Sequence, residues 1–283
     1  MSQPSNIFSL RKVRRMQFLT FRSRYDTIPI QSLKEILLMK YINSNNLSDY
    51  AFLNEDTLVY PLRGICIDFH GYTDATMFEK SNAAAKILGE QGIAWVFPYY
   101  SVWAWMSPGS QEFNEQVLDA VYQKLGADET IPLVVSGGSM GGLTALNYLI
   151  YGKRKAIGCA VNCPVTDLNR IFTDIPSMRR AILSAHIEKD MELDEALKLH
   201  SPVQFADRLP DIPYFCVFGE KDEYFLNIHM PPLVEKFRQY DVNFKQLVQP
   251  GMNHCDLENH PEAHKAFCDF IVSVICGYSR CTT

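Results

Sequence analysis

Four runs of this chain, residues 64–69, 132–136, 157–161 and 214–218, are too apolar to leave one face wet. A strand with one solvated face alternates in polarity, whereas a largely unbroken apolar run belongs in a sheet covered on both sides. They contain predicted strands at Arg63–Phe69, Leu133–Val135, Ile157–Val161 and Tyr214–Phe218, with two more at Ala94–Phe97 and Phe244–Val248. Helices are predicted between them, at Met77–Gln91, Phe113–Leu125, Leu143–Leu149, Pro232–Tyr240 and Pro261–Cys276. Phe113, Val117, Val121 and Leu125, for example, recur at the interval that places them on one helix face. Strand–helix alternation from residue 62 onward predicts an α/β fold: a mainly parallel sheet with helices on both faces.

A chain of 283 residues can bury one large core, and the strand–helix alternation favours a single domain over 1–283. Two stretches break the rhythm. Residues 1–61 read as an arm with possible edge strands at 17–22 and 33–42, followed by the polar segment Asn43–Asp49. Residues 167–209 are mostly helical in pattern and far longer than an ordinary strand-to-strand connection. A helical lid over a site gives that insertion a purpose; packing on the outer face is the alternative.

Composition narrows the function. Hydrophobic content of 47% and charged content of 21% describe an ordinary globule, and a net charge of −5 argues against polyanion binding. The basic cluster Arg11, Lys12, Arg14, Arg15, Arg22 and Arg24 reads as a solvated or ion-paired arm, so no nucleic-acid partner is expected. No apolar run approaches the ~20 residues that span a bilayer, and the start lacks the apolar core of a signal peptide. No membrane partner is therefore expected. Among eight cysteines, Cys66, Cys159 and Cys216 sit in apolar strand-like runs, where a thiol behaves as a small hydrophobe. No C-x-x-C pair occurs, and Cys159 and Cys163 are poorly spaced for zinc without a second cluster. Free thiols without an export signal favour the cytoplasm.

The candidate chemistry centres on Gly137-Gly138-Ser139-Met140-Gly141, set between the run at Leu133–Val135 and the helical stretch that follows. Glycines two before and two after a serine allow a strained turn that presents the hydroxyl and remove Cβ atoms that would strike the flanking elements. The helix starting behind Ser139 turns its positive end and free N–H groups toward any oxyanion formed there. A glycine-rich turn with a solvated serine is the plainer alternative. A serine nucleophile also needs a base, and the base a carboxylate to orient it.

The pattern G-x-S-x-G resembles the nucleophile elbow of the α/β-hydrolase family, in which the triad follows in the order Ser, acid, His. That resemblance implies Asp222 as the acid, in Phe218-Gly-Glu-Lys-Asp-Glu-Tyr224 beyond a strand, with Glu220 and Glu223 as rivals. It implies His254 as the base, in Gln249-Pro-Gly-Met-Asn-His-Cys255, where Pro250 and Gly251 end the last strand. His260 and His264 follow closely but belong to the start and body of the terminal helix. The oxyanion donors implied are the N–H groups of Met140 and Tyr72, the latter in His70-Gly71-Tyr72, with His70 holding the loop. The Gly-Gly of HGGG-type lipases and esterases is absent here. Ser201-Pro-Val, Ile212-Pro, Gly219 and Asp222 add a likeness to the catalytic domain of the prolyl oligopeptidase type and its esterase relatives. Their large propeller is not expected, because too few residues precede the sheet.

Tyr99-Tyr100-Ser-Val-Trp103-Ala-Trp105-Met106 follows a strand and reaches the same sheet edge. Tyr100, Trp103 and Trp105 are thus expected either to wall an acyl pocket or to close the core beneath the loop. The resemblance implies a serine hydrolase that cleaves a small-molecule carboxylic ester through an acyl-enzyme, with no cofactor and no metal. A small serine peptidase is the alternative, although no acidic pair stands out in the sequence to hold a peptide amino terminus. A hydrolase-shaped binding protein is a third possibility, and the N-terminal arm leaves room for a homodimer.

Overall fold

The predicted strands assemble into one seven-stranded sheet. Its members are β1 (Ala51–Leu53), β2 (Gly64–Phe69), β3 (Ile93–Pro98), β4 (Leu133–Gly138), β5 (Ala156–Asn162), β6 (Tyr214–Gly219) and β7 (Phe244–Gln249). The order is β1-β3-β2-β4-β5-β6-β7. Only β1 runs antiparallel, with Phe52 opposite Phe97; the other pairs are parallel. The computed structural model describes residues 41–187 and 191–281. The predicted strand at 17–22, most of that at 33–42 and the basic cluster lie outside the described residues. The antiparallel edge is made by Ala51–Leu53, a strand too short to show a period of its own.

Helices cover both faces: α1 (Ala83–Glu90), α2 (Pro108–Leu125), α3 (Met140–Tyr151), α4 (Leu168–Asp174), α5 (Arg179–His186), α6 (Leu193–Leu199), α7 (Pro202–Phe205), α8 (Met230–Gln239) and α9 (Pro261–Cys281). Local capping moved two predicted starts. Ser107 accepts a hydrogen bond from the N–H of Ser110, and Pro108 opens the first turn, so α2 begins five residues ahead of Phe113. Asn82 caps Ala85 in the same way, so α1 begins after the predicted Met77. β3 is buried end to end, as are the apolar runs of β2, β4 and β6, in keeping with a sheet covered on both sides. No helix among the described residues is long and apolar enough to cross a membrane.

Parallel pairing brings the carboxyl ends of β2, β4, β5, β6 and β7 to one edge. The register sets Phe69 beside Gly137 and Gly138 beside Asn162. The chain leaves β2 toward β3 on one side and leaves its neighbour β4 toward β5 on the other. Such a switch point opens a crevice beyond the strand ends, where α/β folds bind ligands. The insertion at 167–209 folds into α4 to α7 and short 3₁₀ turns between β5 and β6.

Candidate active site

Ser139 sits in the crevice in a conformation few non-glycine residues adopt, with φ 53° and ψ −117°. Neighbouring backbone holds it there. The Ser139 N–H donates to Asn162 O at 3.0 Å, and its carbonyl accepts from Val165 N at 3.0 Å and Leu143 N at 3.2 Å. The two motif glycines are demanded by close approach. A Cβ on Gly141 would stand 1.8 Å from Phe69 O, and one on Gly137 would stand 2.5 Å from the Gly141 carbonyl. Helix α3 therefore crosses the end of β2 at a distance only hydrogen atoms permit.

The loop after β2 passes directly over the serine: a Cβ on Gly71 would lie 3.8 Å from Ser139 Cβ. His70 secures this loop. Its ring stacks on Tyr100 at 3.8 Å, with Nε2 3.0 Å from Tyr100 O and Nδ1 2.9 Å from Gly71 O. Tyr72, which follows Gly71, and Met140, which follows Ser139, carry the candidate oxyanion N–H groups. Trp105 packs beside them, with its ring 5.3 Å from the Tyr72 ring and its backbone N–H donating to Met140 Sδ at 3.5 Å.

Asp222 and His254 meet although 32 residues separate them, with Nδ1 of the imidazole 2.5 Å from Oδ2. Asp222 is 8% exposed, on the loop leaving β6. Its rival Glu220 is committed elsewhere, accepting from Gly251 N at 2.9 Å and so bracing the turn that carries His254. His260 lies 4.0 Å from Asp256 at the foot of α9. Phe225 covers one face of the His254 ring at 4.1 Å. Burial disfavours the imidazolium, but the hydrogen bond to Asp222 and the nearby Cys163 outweigh it and raise the His254 pKa to about 9. A neutral imidazole must therefore be liberated before it can act as a base.

Two cysteines complete the surroundings, and nothing in their spacing along the chain couples them. Cys255 Sγ lies 3.8 Å from His254 Nε2, and Cys163, just past the carboxyl end of β5, brings its sulfur within 4.8 Å of the donor atoms of both. Hydrogen bonding from Cys255 pulls the Cys163 pKa down against the effect of burial, with His254 adding to the pull; the Cys255 thiol is pushed up in return. The only sequence signals were the adjacency of Cys255 to His254 and the place of Cys163 just past a strand.

Ser139 and His254 open onto one cavity of about 500 Å³. Its aromatic walls are Phe69, Tyr72, Phe78, Trp95, Phe97 and Phe267, and Asp68, Asp74 and Glu258 add carboxylates. None of the three aromatic residues expected to bind substrate lines it. Tyr100 is 3% exposed and donates its hydroxyl to His70 O, and Trp105 is fully buried. Both close the core beneath the loop: the Tyr100 ring stacks on His70 and the Trp105 ring packs against Tyr72. Trp103, at 58% exposed, stands on the surface. Among the described residues of 167–209, none lines the cavity either.

Behind Phe225 lies the buried His229. Its Nδ1 accepts from Thr166 N at 3.3 Å, and its Nε2 has no partner among the described residues. Burial lowers its pKa to about 3, and the Arg170 charge adds to the shift. The unfolded chain, with an ordinary imidazole near 6.5, binds this proton more readily, so the stability is whole above about pH 6.5 and is lost as pH falls toward 3. About 2 kcal/mol should be gone by pH 5. Urea unfolding of His229→Gln at pH 7 and pH 5 should show a smaller loss than the parent; equal losses would assign the acid sensitivity elsewhere.

The sequence profile of the prolyl oligopeptidase family matches residues 99–276. No curated protein matches the chain. Solved structures share the fold at low identity. Esterase B from Lactobacillus Rhamnosis is 16% identical with a TM-score of 0.59, over 79% of this chain and 78% of that one. A lipase in its open form is 15% identical with a TM-score of 0.61, over 81% and 94%. Porphyromonas gingivalis dipeptidyl peptidase 4 is 18% identical with a TM-score of 0.56, over 78% of this chain and 33% of that one.

Proposed function

The chain belongs to the prolyl oligopeptidase family of serine hydrolases, and from that premise we propose that it cleaves small carboxylic esters with Ser139, His254 and Asp222. The observation that carries this is the His254 ring, held by Asp222, opening onto the same cavity as the strained Ser139. Ser139 Oγ attacks the acyl carbon while His254 Nε2 takes its proton. Asp222 holds the imidazole through Nδ1 and steadies the imidazolium. The N–H groups of Met140 and Tyr72 receive the oxyanion, the largest single contribution in acyl transfer of this kind. His254 then returns the proton to the leaving alcohol, and a water activated by the same imidazole releases the acyl group from Ser139.

The aromatic walls favour an apolar acyl or aryl group over a charged one. Acetyl to octanoyl p-nitrophenyl esters should therefore give higher kcat/KM than prolyl and other peptide amides on the same preparation. Comparable turnover of amides would reverse that ranking. One observation favours a peptidase: Asp68, Asp74 and Glu258, scattered in sequence, line one cavity and are suited to a free amino terminus. The insertion at 167–209 belongs to the proposal as a lid, supported by apolar Leu183 and Ile187 on its surface. The described cysteines are free thiols, which supports a cytoplasmic setting.

A further inference from the structure

We propose that Cys163, His254 and Cys255 form a binding site for a thiophilic divalent cation, zinc foremost, that switches the hydrolase off while bound. The inhibition rests on His254 being the base; the binding does not.

The three donor atoms lie within 4.8 Å of one another, with Cys255 Sγ 3.8 Å from His254 Nε2. A tetrahedral zinc ion, with bonds of about 2.3 Å to sulfur and about 2.0 Å to nitrogen, sets its donors roughly 3.5–3.8 Å apart. The donors found here need to draw in by about 1.3 Å at most. Two sulfurs and one imidazole select zinc over magnesium or calcium, which take oxygen.

The surroundings suit a metal as well as the donors do. Asp222 already occupies Nδ1 of His254, leaving Nε2 as the free ring position on the side of the thiols. A carboxylate on the far nitrogen is the usual support for a metal-bound histidine, fixing its tautomer and its direction. The backbone holds both sulfurs in place. Cys163 and Cys255 have φ of 43° and 53°, Cys163 N donates to Val217 O at 2.8 Å, and Cys255 Sγ lies 3.4 Å from Asn162 O. Cys163 is buried, but His254 and Cys255 line the cavity, so an ion reaches the donors from that side and can keep a water as its fourth ligand. On binding, the cysteines release their protons to solvent and no electron is transferred. The lone pair of Nε2 is then committed to the ion and cannot accept the proton of Ser139. The bound cation is thus an inhibitor and not a cofactor.

The test uses the full chain in a reductant that does not bind metal, with Co²⁺ and Zn²⁺ as the added ions. Ser139→Ala keeps all three donors and cannot turn over substrate. One equivalent of Co²⁺ should give it a thiolate-to-cobalt charge-transfer band and a tetrahedral visible spectrum, both abolished by one equivalent of Zn²⁺. Cys163→Ala and Cys255→Ala in that background should weaken zinc by at least ~100-fold, since losing a direct ligand exceeds the usual effect of losing its support. In the wild-type chain, stoichiometric zinc should suppress ester turnover and a chelator should restore it. Cobalt binding without a charge-transfer band, or zinc affinity unchanged in the cysteine variants, would overturn the site. Should those variants not fold, the band in Ser139→Ala decides by itself. A chain that shows the band but whose Ser139 no phosphonate labels would keep the metal site and lose the hydrolase. Phosphonate labelling at Ser139 without the band would do the reverse.

Discussion

Ser139→Ala is expected to lower kcat on a short p-nitrophenyl ester on the order of 10⁶-fold, with the chain still folded. The size follows from the arrangement. Once the nucleophile is gone, the imidazole and its carboxylate have no proton to move, so triad members do not contribute additively. What remains is the cavity and the backbone donors, which still favour attack by water to a small extent. Asp222→Asn should fall less, about 10⁴-fold in kcat, because the amide presents the wrong partner to Nδ1 while the ring stays in place. Steady-state rates on both variants, with unfolding curves beside them, check the order. Ester turnover by Ser139→Ala at the wild-type rate would remove the serine from the mechanism.

Gly141→Ala is expected to have the second-largest effect, and on a different quantity. Its methyl group would lie 1.8 Å from Phe69 O and 2.8 Å from His70 O, both backbone atoms with little freedom to retreat. Helix α3 must then move off the end of β2, which displaces Ser139 and the loop that carries Tyr72. We expect a loss of more than about 4 kcal/mol of stability, together with loss of activity in whatever remains folded. Gly109→Ala is the internal control. A Cβ there meets nothing within 4 Å, so that variant should stay within about 0.5 kcal/mol of the parent. Thermal unfolding of the two variants side by side reads the difference. A Gly141→Ala chain with parental stability and turnover would show that the close crossing of helix and strand is not what shapes the turn.

The sheet was legible because its central strands are buried on both faces, so their apolar runs mark them without any help from periodicity. Predicted and observed bounds of β2, β4 and β6 differ by a few residues at most. β1 was not legible: three residues, Ala51–Leu53, carry no period, and their pairing with β3 is a tertiary event. Helix starts shifted where a single cap decides, at Ser107 and Asn82. Within the site, residues that follow strand ends could be placed, since parallel strands share one carboxyl edge; Ser139, Asp222 and His254 are of this kind. Side-chain direction could not be read. Tyr100 and Trp105 sit at the right edge but point into the core, while the aromatic walls of the cavity include Phe78, Phe97 and Phe267 on other elements. Cys163 and Asp68 were passed over for the same reason, because their partners are set by the fold and not by neighbours in the chain.

The most direct measurement is covalent labelling of the folded wild-type chain with a fluorophosphonate, followed by peptide mapping. A single adduct on Ser139, absent when His254 is replaced by alanine, is the predicted result. A folded chain that takes no label, or takes it on another residue, would contradict the assignment of Ser139 as the nucleophile.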